Sequence, residues 1–321
     1  MATIVVAAML GAGAIYTYLS PKSGNPKGSK VAVLSTVKYG SALVVGSGEL
    51  AGFPLYEFSG DVGGTFGCGT TREKGYDFDP NGEVTMTCTG PMSDIMRGVA
   101  SDDWPAFTTR SKPVAGRGVE QSLLGTVRRP GVGDQVTYGG HPLYLFDPST
   151  APFAPAGEDY AETVEPAGPW HGYWFLVSSK NGQPEPGRAT IEVATLPDGK
   201  KAIAIEMDPN VNPLAEVVYA DSHDPSGASA CIDECAAAWI PVLTDGSPRE
   251  KDGVDADGIG VLRLTNGETQ VTYGGKPLYL YSRERIFRSA TGLKSTGTAG
   301  NGSGMPGPDG STFSTIPDSQ P

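Results

Sequence analysis

The sequence predicts an all-β protein made of two tandem antiparallel repeats, each a small β-sandwich or open barrel with one short helix near its cysteines. Among 321 residues there are 45 glycines and 27 prolines, which suits short strands joined by turns and disfavours long helices. Apolar residues form 38% of the chain, enough to build cores. The same strand-like segments recur in the same order in both halves, which predicts a duplicated fold.

The strongest internal match is a hairpin motif that occurs twice. QVTYGGHPLYLF at 135–146 and QVTYGGKPLYLY at 270–281 agree at ten of twelve positions. In each, the Gly-Gly pair predicts a tight turn between two alternating arms. Earlier strand–turn–strand segments also match, which predicts repeat domains at 30–180 and 187–288. Aromatic residues that recur in these segments are predicted to pack in the cores, namely Tyr56, Trp104, Tyr138, Tyr144, Trp239, Tyr273 and Tyr279.

Residues 2–19 are apolar and carry no charged side chain, which is about the length that spans a bilayer core. A signal peptide is the alternative, but its usual positive n-region and a clear cleavage site are missing. The sequence therefore predicts an uncleaved single-pass transmembrane anchor at 1–20 and a polar linker at 21–29. Three lysines after the apolar run favour a cytoplasmic body by the positive-inside rule, namely Lys22, Lys27 and Lys30.

The four cysteines fall in two pairs, Cys68 with Cys88 and Cys231 with Cys235. An even count divided between the repeats predicts one local disulfide in each, which places the body on the periplasmic side. We give this argument more weight than the lysines, because two separate pairs agree. A redox role for the second pair would favour the spacing Cys-x-x-Cys, which is absent. Zinc needs four ligands in one place, and the separated pairs offer few histidines nearby, namely His141, His171 and His223.

No motif for a cofactor or a metal is present, and we predict neither. The sequence has no phosphate-binding glycine loop and no haem-attachment motif. Residues 77–83 imitate the start of a calcium loop, but the twelve-residue spacing with its terminal glutamate is missing. Asp61, Asp221 and Asp224 could suggest paired carboxylates, yet they follow strands at turn positions, where aspartate is common. A net charge of −12 disfavours nucleic acid as a partner.

The two repeats differ in four places. The first has an insertion between Cys68 and Cys88, an extension at 148–167 and an aromatic strand at 170–177. The second has no such strand, and continues into a tail at 289–321 that is rich in Gly, Ser, Thr and Pro and that alone should be flexible. The aromatic strand offers a possible ligand or partner surface, with a packed strand end as the alternative; its residues are Trp170, His171, Tyr173 and Trp174.

These motifs resemble a bacterial family, the secreted repeat of unknown function found in predicted lipoproteins and secreted proteins. The resemblance rests on LYEFSGD at 55–61, on CIDECAAAW at 231–239 and on both Tyr-Gly-Gly hairpins, and it covers roughly 30–178 and 189–282. The sequence departs from the family pattern at the split cysteines of the first repeat and at VVYAD, 217–221. The resemblance implies a secreted β-rich module without an established activity.

Together these observations predict a non-enzymatic accessory subunit on the periplasmic side of a bacterial membrane. It would be anchored by residues 2–19 and would stabilise a larger complex of integral membrane proteins, photosynthetic or respiratory. The alternative is a module that binds an envelope glycan or a small ligand through the strand at 170–177. A third class, an enzyme or redox protein, would need a polar constellation in a pocket, or reactive thiols at Cys231 and Cys235.

Overall fold

The computed structural model describes two halves of the chain, the first within residues 30–182 and the second within residues 188–318. The described ranges are 30–36, 40–61, 66–68, 73–75, 84–86, 104–146, 155, 157–158, 160–163, 171–182, 188–206, 215–231, 234–251, 253–265, 267–284, 286–288 and 295–318. Within these ranges the chain is all-β, as predicted, with short strands arranged in several small sheets.

The first half forms three sheets of three or four strands and one two-stranded hairpin. They have the strand orders β2-β1-β7, β10-β9-β6 with β8 also on β9, β11-β12-β3 and β4-β5. The strands are β1 (Lys30–Thr36), β2 (Gly40–Val45), β3 (Tyr56–Phe58), β4 (Glu73–Gly75), β5 (Val84–Met86), β6 (Thr108–Thr109), β7 (Val114–Ala115), β8 (Leu124–Arg129), β9 (Gly133–Tyr138), β10 (His141–Pro142), β11 (Tyr160–Thr163) and β12 (His171–Leu176).

The second half has the sheets β15-β14-β13-β18, β17-β22-β16-β25, β19-β20-β21 and β23-β24. Its strands are β13 (Thr190–Thr195), β14 (Lys201–Glu206), β15 (Ala215–Val217), β16 (Tyr219–Asp221), β17 (Trp239–Pro241), β18 (Arg249–Glu250), β19 (Ile259–Arg263), β20 (Thr269–Tyr273), β21 (Lys276–Pro277), β22 (Tyr279–Tyr281), β23 (Ile286–Arg288), β24 (Ser295–Thr298) and β25 (Phe313–Thr315). A short helix, α1 (Glu234–Ala238), and a 3-10 turn at Ala256–Gly258 complete it.

The two halves contain the same strand pairings. β1 and β2 form an antiparallel hairpin, as β13 and β14 do. A short strand then lies parallel to the first strand of each hairpin, β7 beside β1 and β18 beside β13. The three-stranded meander β8-β9-β10 has its counterpart in β19-β20-β21. Between 104 and 146 each residue therefore has a matching position in the second half, 135 residues further along the chain.

The repeated hairpin motif folds as predicted. Tyr138 pairs with His141, and Tyr273 pairs with Lys276 across the equivalent turn. All four turn glycines have positive φ, with values of 59° and 95° in the first hairpin and 57° and 76° in the second. A two-residue turn that matches the twist of the strands needs this backbone geometry at both positions, which glycine adopts without strain.

Each half contains two adjoining hydrophobic cores, one mainly aliphatic and one rich in aromatic rings. The alternation along β2, β9, β14 and β20 sends one set of side chains into the aliphatic core of its half. The prediction that the recurring aromatic residues pack in the interior is confirmed, because all seven are at most 1% exposed: Tyr56, Trp104, Tyr138, Tyr144, Trp239, Tyr273 and Tyr279.

The tail is held by the chain's own second half. β25 pairs antiparallel with β16, just as β12 pairs with β3 in the first half. Phe313 is fully buried and stacks on Trp239 at 3.7 Å between ring centroids, while Trp174 stacks on Trp104 at 3.9 Å. The tail thus supplies the closing strand that the second repeat was expected to lack. The sequence pattern concealed it, because a single phenylalanine between polar residues takes the place of an aromatic run.

Replacing Phe313 with alanine is expected to lower the free energy of unfolding by about 3 kcal/mol, because a buried ring stacked on Trp239 is lost. Urea unfolding followed by circular dichroism measures the change. Ser314→Ala is the matched control on the same strand, and its exposed side chain predicts a change below about 0.5 kcal/mol. Equal stabilities for the two variants would contradict a closing role for β25.

Two sequence predictions concern helices. The transmembrane anchor at residues 2–19 lies outside the described residues, and none of the helices described here has the length and apolarity to cross a membrane. In the second half α1 carries Cys235, at the place where a short helix was predicted. In the first half the segment at 69–103, where the corresponding helix was predicted, is described only at β4 and β5.

Candidate functional site

In each half, one aspartate–tyrosine pair holds the segment of chain just before a cysteine. The Asp61 carboxylate accepts hydrogen bonds from the Tyr144 hydroxyl at 2.6 Å and from the backbone N–H six residues further on at 2.7 Å. Asp224 accepts from the Tyr279 hydroxyl at 2.9 Å and from the N–H six residues further on, also at 2.7 Å. Both aspartates therefore order the segment that leads to a cysteine. They are not brought together as a catalytic pair.

The predicted disulfide of the second half is present. Cys231 and Cys235 are bonded, with their Cα atoms 5.1 Å apart, and both side chains are buried in the aromatic core. Cys68 is also disulfide-bonded, and its predicted partner Cys88 lies outside the described residues. Buried, bonded sulfurs are the arrangement of a structural clip, whereas a reactive thiol needs exposure.

A buried arginine organises the polar interior of the first half, and sequence reasoning missed it. Arg129 is 0% exposed and donates to the Tyr144 hydroxyl at 3.0 Å, to Gln135 Oε1 at 3.1 Å and to the carbonyl oxygen of Cys68. Its guanidinium also lies over the Phe66 ring at 4.5 Å. We call Asp61, Arg129, Gln135 and Tyr144 the arginine cluster. It ties the cysteine segment to the hairpin motif.

The second half has no counterpart of this arginine. Leu264 occupies the matching position, and the matching amide oxygen, Oε1 of Gln270, is buried without a hydrogen-bond partner among the described residues. One feature of the sequence could have indicated this site. Beside a motif that otherwise matches, the first half has an arginine where the second half has a leucine. A charge at a position that is apolar in the second half indicates a buried partner.

The aromatic strand β12 lies between the cores of the two halves. Trp174 and Leu176 pack in the aromatic core of the first half. Tyr173 belongs to the aliphatic core of the second half, and Phe175 packs against that core. Alternate side chains of one strand thus reach cores on opposite sides, because successive residues of a strand point to opposite faces.

This placement argues against a ligand or partner surface at two of the four predicted residues. Tyr173 and Trp174 are both 0% exposed, so neither forms an accessible platform. Trp170 lies outside the described residues, and of His171 only the backbone is described. The alternative interpretation, a packed strand, is the one that the burial of these two rings supports.

Two buried tyrosine–carboxylate pairs stand where the halves meet, and we call them the interface cluster. The Tyr173 hydroxyl, from the first half, donates to the Glu216 carboxylate of the second half. The Tyr219 hydroxyl donates to the Glu284 carboxylate and accepts the backbone N–H of Gly302 at 3.2 Å. All four side chains of the cluster are at most 1% exposed. The first pair joins the two halves, and the second links β16 to the segments at 284 and 302 within the second half.

Burial sets the protonation of this cluster. It raises the pKa of Tyr173 and of Tyr219, and in each case the partner carboxylate raises it further. Burial also raises the pKa of Glu284, although hydrogen bonds from Tyr219 and from nearby backbone oppose the shift. The two tyrosines therefore remain protonated donors at neutral pH. A hydroxyl that always donates serves as a fixed link between elements, not as a base.

His141 and Glu57 form a second polar contact near the boundary. The histidine follows the Gly-Gly turn, yet its side chain is only 31% exposed and its Nδ1 lies 3.5 Å from Glu57 Oε2. That carboxyl oxygen has no hydrogen-bond partner among the described residues. Burial, then Glu268 of the second half and Asp61, raise the pKa of Glu57 well above its ordinary value. Burial lowers the pKa of His141. Both shifts favour the neutral forms.

This contact predicts a pH dependence. The folded pKa of Glu57 lies above its ordinary value of 4.5, so the folded chain binds a proton that the unfolded chain has lost. Stability should therefore fall as the pH rises above about 4.5, and Glu57→Gln should remove that part of the decline. Urea unfolding of both proteins between about pH 4 and about pH 7, a window that starts near the ordinary carboxyl pKa, measures the decline. Glu49→Gln, at an exposed glutamate, is the control. Asp61, Asp224 and Glu284, whose pKa burial also raises, leave some decline in the variant; a decline as steep in Glu57→Gln as in the wild type would refute the assignment.

The remaining candidate residues take part in local contacts. Asp221 accepts the backbone N–H of His223 at 3.0 Å, and the His223 ring lies 3.1 Å from Asp309 on the surface. Within the part of the chain that the structure describes, no three His, Cys, Asp or Glu side chains are grouped so that they could hold a metal. The segment with the partial calcium pattern, 77–83, lies outside that part.

Comparison with known proteins adds no relative: no protein-family model, curated protein or solved structure matches the chain.

Proposed function

We propose that the chain is a non-enzymatic structural subunit, made of two copies of one module and held on the periplasmic side of a bacterial membrane. In this proposal residues 2–19 form the anchor, and the body stabilises a larger complex of membrane proteins, respiratory or photosynthetic. The observation that carries the proposal is the position of β12, whose alternate side chains fill a core of each half. A strand shared in this way favours one rigid body over two hinged domains.

Rigidity is the property that a scaffold needs. A surface that is already ordered loses little conformational entropy when a partner binds, so more of the contact energy remains for affinity. The interface cluster supports this reading, because each of its tyrosine hydroxyls is directed at a carboxylate in a dry environment. The most buried polar groups thus serve to hold elements together.

Two further features support the location and the duplication. The disulfide between Cys231 and Cys235 favours an oxidising compartment such as the periplasm. The strand pairings that recur in both halves, together with the repeated hairpin sequence, favour two copies of a module like the secreted repeat that the sequence resembles. In the first copy the short helix of the module would lie between Cys68 and Trp104.

The proposal is tested on native membranes. They are extracted with a mild detergent, and the chain is followed through a sizing column. We expect it to elute in an assembly much larger than its own mass of 33.3 kDa plus detergent. Elution of the chain as a lone species would refute the structural role. A variant without residues 2–19 is the control for anchoring: it should leave the membrane fraction without detergent, while its circular dichroism still shows the folded body.

A glycan-binding or small-ligand function is not retained as a second candidate. It depended on an aromatic cleft, and two of the three rings that would line such a cleft, Tyr173 and Trp174, are buried in cores.

A further inference from the structure

We infer that the first half lies against an anionic lipid surface through a strip of four cations, which we call the basic strip: Lys30, Arg110, Lys112 and Arg117. This inference rests on the proposed anchoring and adds to it the side of the body that faces the lipid. It is carried by the exposure of these side chains, by a reversal of charge between the halves and by their place next to the start of β1.

The basic strip is available to a partner. Arg110, Lys112 and Arg117 are exposed, and Lys30 is partly exposed. Among the described residues none of the four forms an ion pair, whereas the nearby Arg128 is paired with Asp134 at 3.0 Å. Unpaired, solvated guanidinium and ammonium groups are the groups that lipid phosphates attract.

At two of three matching positions the second half carries the opposite charge, and at the third it has a neutral serine. Asp245 matches Arg110, Ser247 matches Lys112 and Asp252 matches Arg117. The local fold is nevertheless the same. The hydroxyl of Thr109 donates to the carbonyl oxygen two residues further on at 2.7 Å, and the hydroxyl of the matching Thr244 does so at 3.1 Å. The cations of the first half are therefore not needed to form this turn, which leaves a role at the surface.

The strip lies where the chain would leave a membrane. β7, which is flanked by Lys112 and Arg117, runs parallel to β1, and Val114 is the partner of Lys30. Lys30 follows directly on the ten residues 20–29, which link it to the apolar segment. Ten residues span at most about 35 Å, so Lys30, at the start of β1, stays roughly within that distance of the end of the proposed anchor. No other part of the described chain is so closely tethered.

The balance of charge sets the strength of this contact. Two exposed carboxylates, Glu49 and Glu120, lie on the loops that contact β1 and β7, through the bonds Gly46 N to Lys30 O and Ala115 N to Gln121 Oε1. Four cations against two carboxylates give a weak attraction, which falls off within a Debye length of about 8 Å at physiological salt. It becomes effective because the anchor keeps it close to the surface, while the net charge of −12 repels the rest of the body.

The test uses the full chain in nanodiscs of phosphatidylcholine alone or with about one third phosphatidylglycerol, so that anionic lipid is the only variable. Acetylation of lysines by a small amine-reactive ester is followed by mass spectrometry. We expect Lys112 to react at least about threefold more slowly in the anionic discs, and to recover in about 1 M salt, where the Debye length is about 3 Å. The exposed Lys200 of the second half is the reference and should react equally in both discs.

Two double variants that change the net charge equally distinguish an effect of the basic strip from an effect of net charge. Arg110→Asp with Arg117→Asp introduces the residue type of the second half and should abolish the protection of Lys112. Arg263→Asp with Lys276→Asp changes two exposed cations of the second half and should leave the protection intact.

Three outcomes overturn the inference. If the chain enters the discs but Lys112 reacts equally in both lipids, the basic strip has no lipid contact, while the anchor stands. If both double variants lose protection equally, net charge and not the strip is responsible. If the chain does not co-elute with either kind of disc, the anchor fails and the inference fails with it.

Discussion

Replacing Tyr173 with alanine is expected to lower the free energy of unfolding by about 4 kcal/mol and to loosen the second half more than the first. The substitution removes a wholly buried ring from the aliphatic core of the second half. It also leaves the Glu216 carboxylate buried without the hydroxyl that donates to it. Urea unfolding gives the total loss, and hydrogen exchange read by mass spectrometry should show faster exchange in β13 and β14.

Two further variants divide this effect. Tyr173→Phe keeps the ring and removes only the hydroxyl, so it should cost about 1–3 kcal/mol, the penalty for taking one donor from a buried acceptor. Thr312→Ala is the matched control, since Thr312 precedes Phe313 as Tyr173 precedes Trp174, yet its side chain is exposed. Its cost should stay below about 0.5 kcal/mol. If Tyr173→Ala left exchange in β13 and β14 unchanged, β12 would not couple the halves.

Replacing Arg129 with leucine, the residue type at the matching position of the second half, is expected to destabilise the chain by about 3 kcal/mol or more. In the second half Leu264 stands at this position, and the matching oxygen, Oε1 of Gln270, has no hydrogen-bond partner among the described residues. In the first half the change would remove the donor to Gln135 Oε1 and to the Cys68 carbonyl. Burial raises the pKa of Asp61 to about 6, and the change would also remove the Arg129 charge that opposes this shift.

The neighbouring residue gives the control for this prediction. Arg128 lies on the same strand and is paired with Asp134, but the side chain of Arg128 is 76% exposed. Exposed pairs contribute little, so Arg128→Leu should cost less than about 1 kcal/mol. Urea unfolding of both variants makes the comparison. Similar losses would mean that β8 is sensitive to any substitution and that the arginine cluster has no special weight.

Local sequence signals predicted the strands and turns well. β1 with β2, and β13 with β14, form the strand–turn–strand segments that the match between the halves predicted. The Gly-Gly turns were predicted from the two glycines alone, because the required backbone geometry is a property of those residues. The buried aromatic residues were predicted from their recurrence, since a duplicated fold repeats its core.

The features that were missed depend on contacts between distant segments. Arg129 is buried and donates hydrogen bonds to Cys68, Gln135 and Tyr144. The sequence of β8 alone does not indicate these partners. β25 is too short for its alternation to stand out from a polar tail. The aromatic run of β12 suggested a binding surface because a single sequence cannot show that both faces of a strand are covered by different cores.

β12 and β25 differ in the residues that flank the buried aromatic ring of each strand. On β12 the residues on either side of Trp174 are Tyr173 and Phe175, and the second half covers them. On β25 the residues on either side of Phe313 are Thr312 and Ser314, and both meet water. β12 therefore packs against both halves, whereas β25 packs on one face only. The outward face of β25 therefore offers no apolar side chain beside Phe313 that another module could cover.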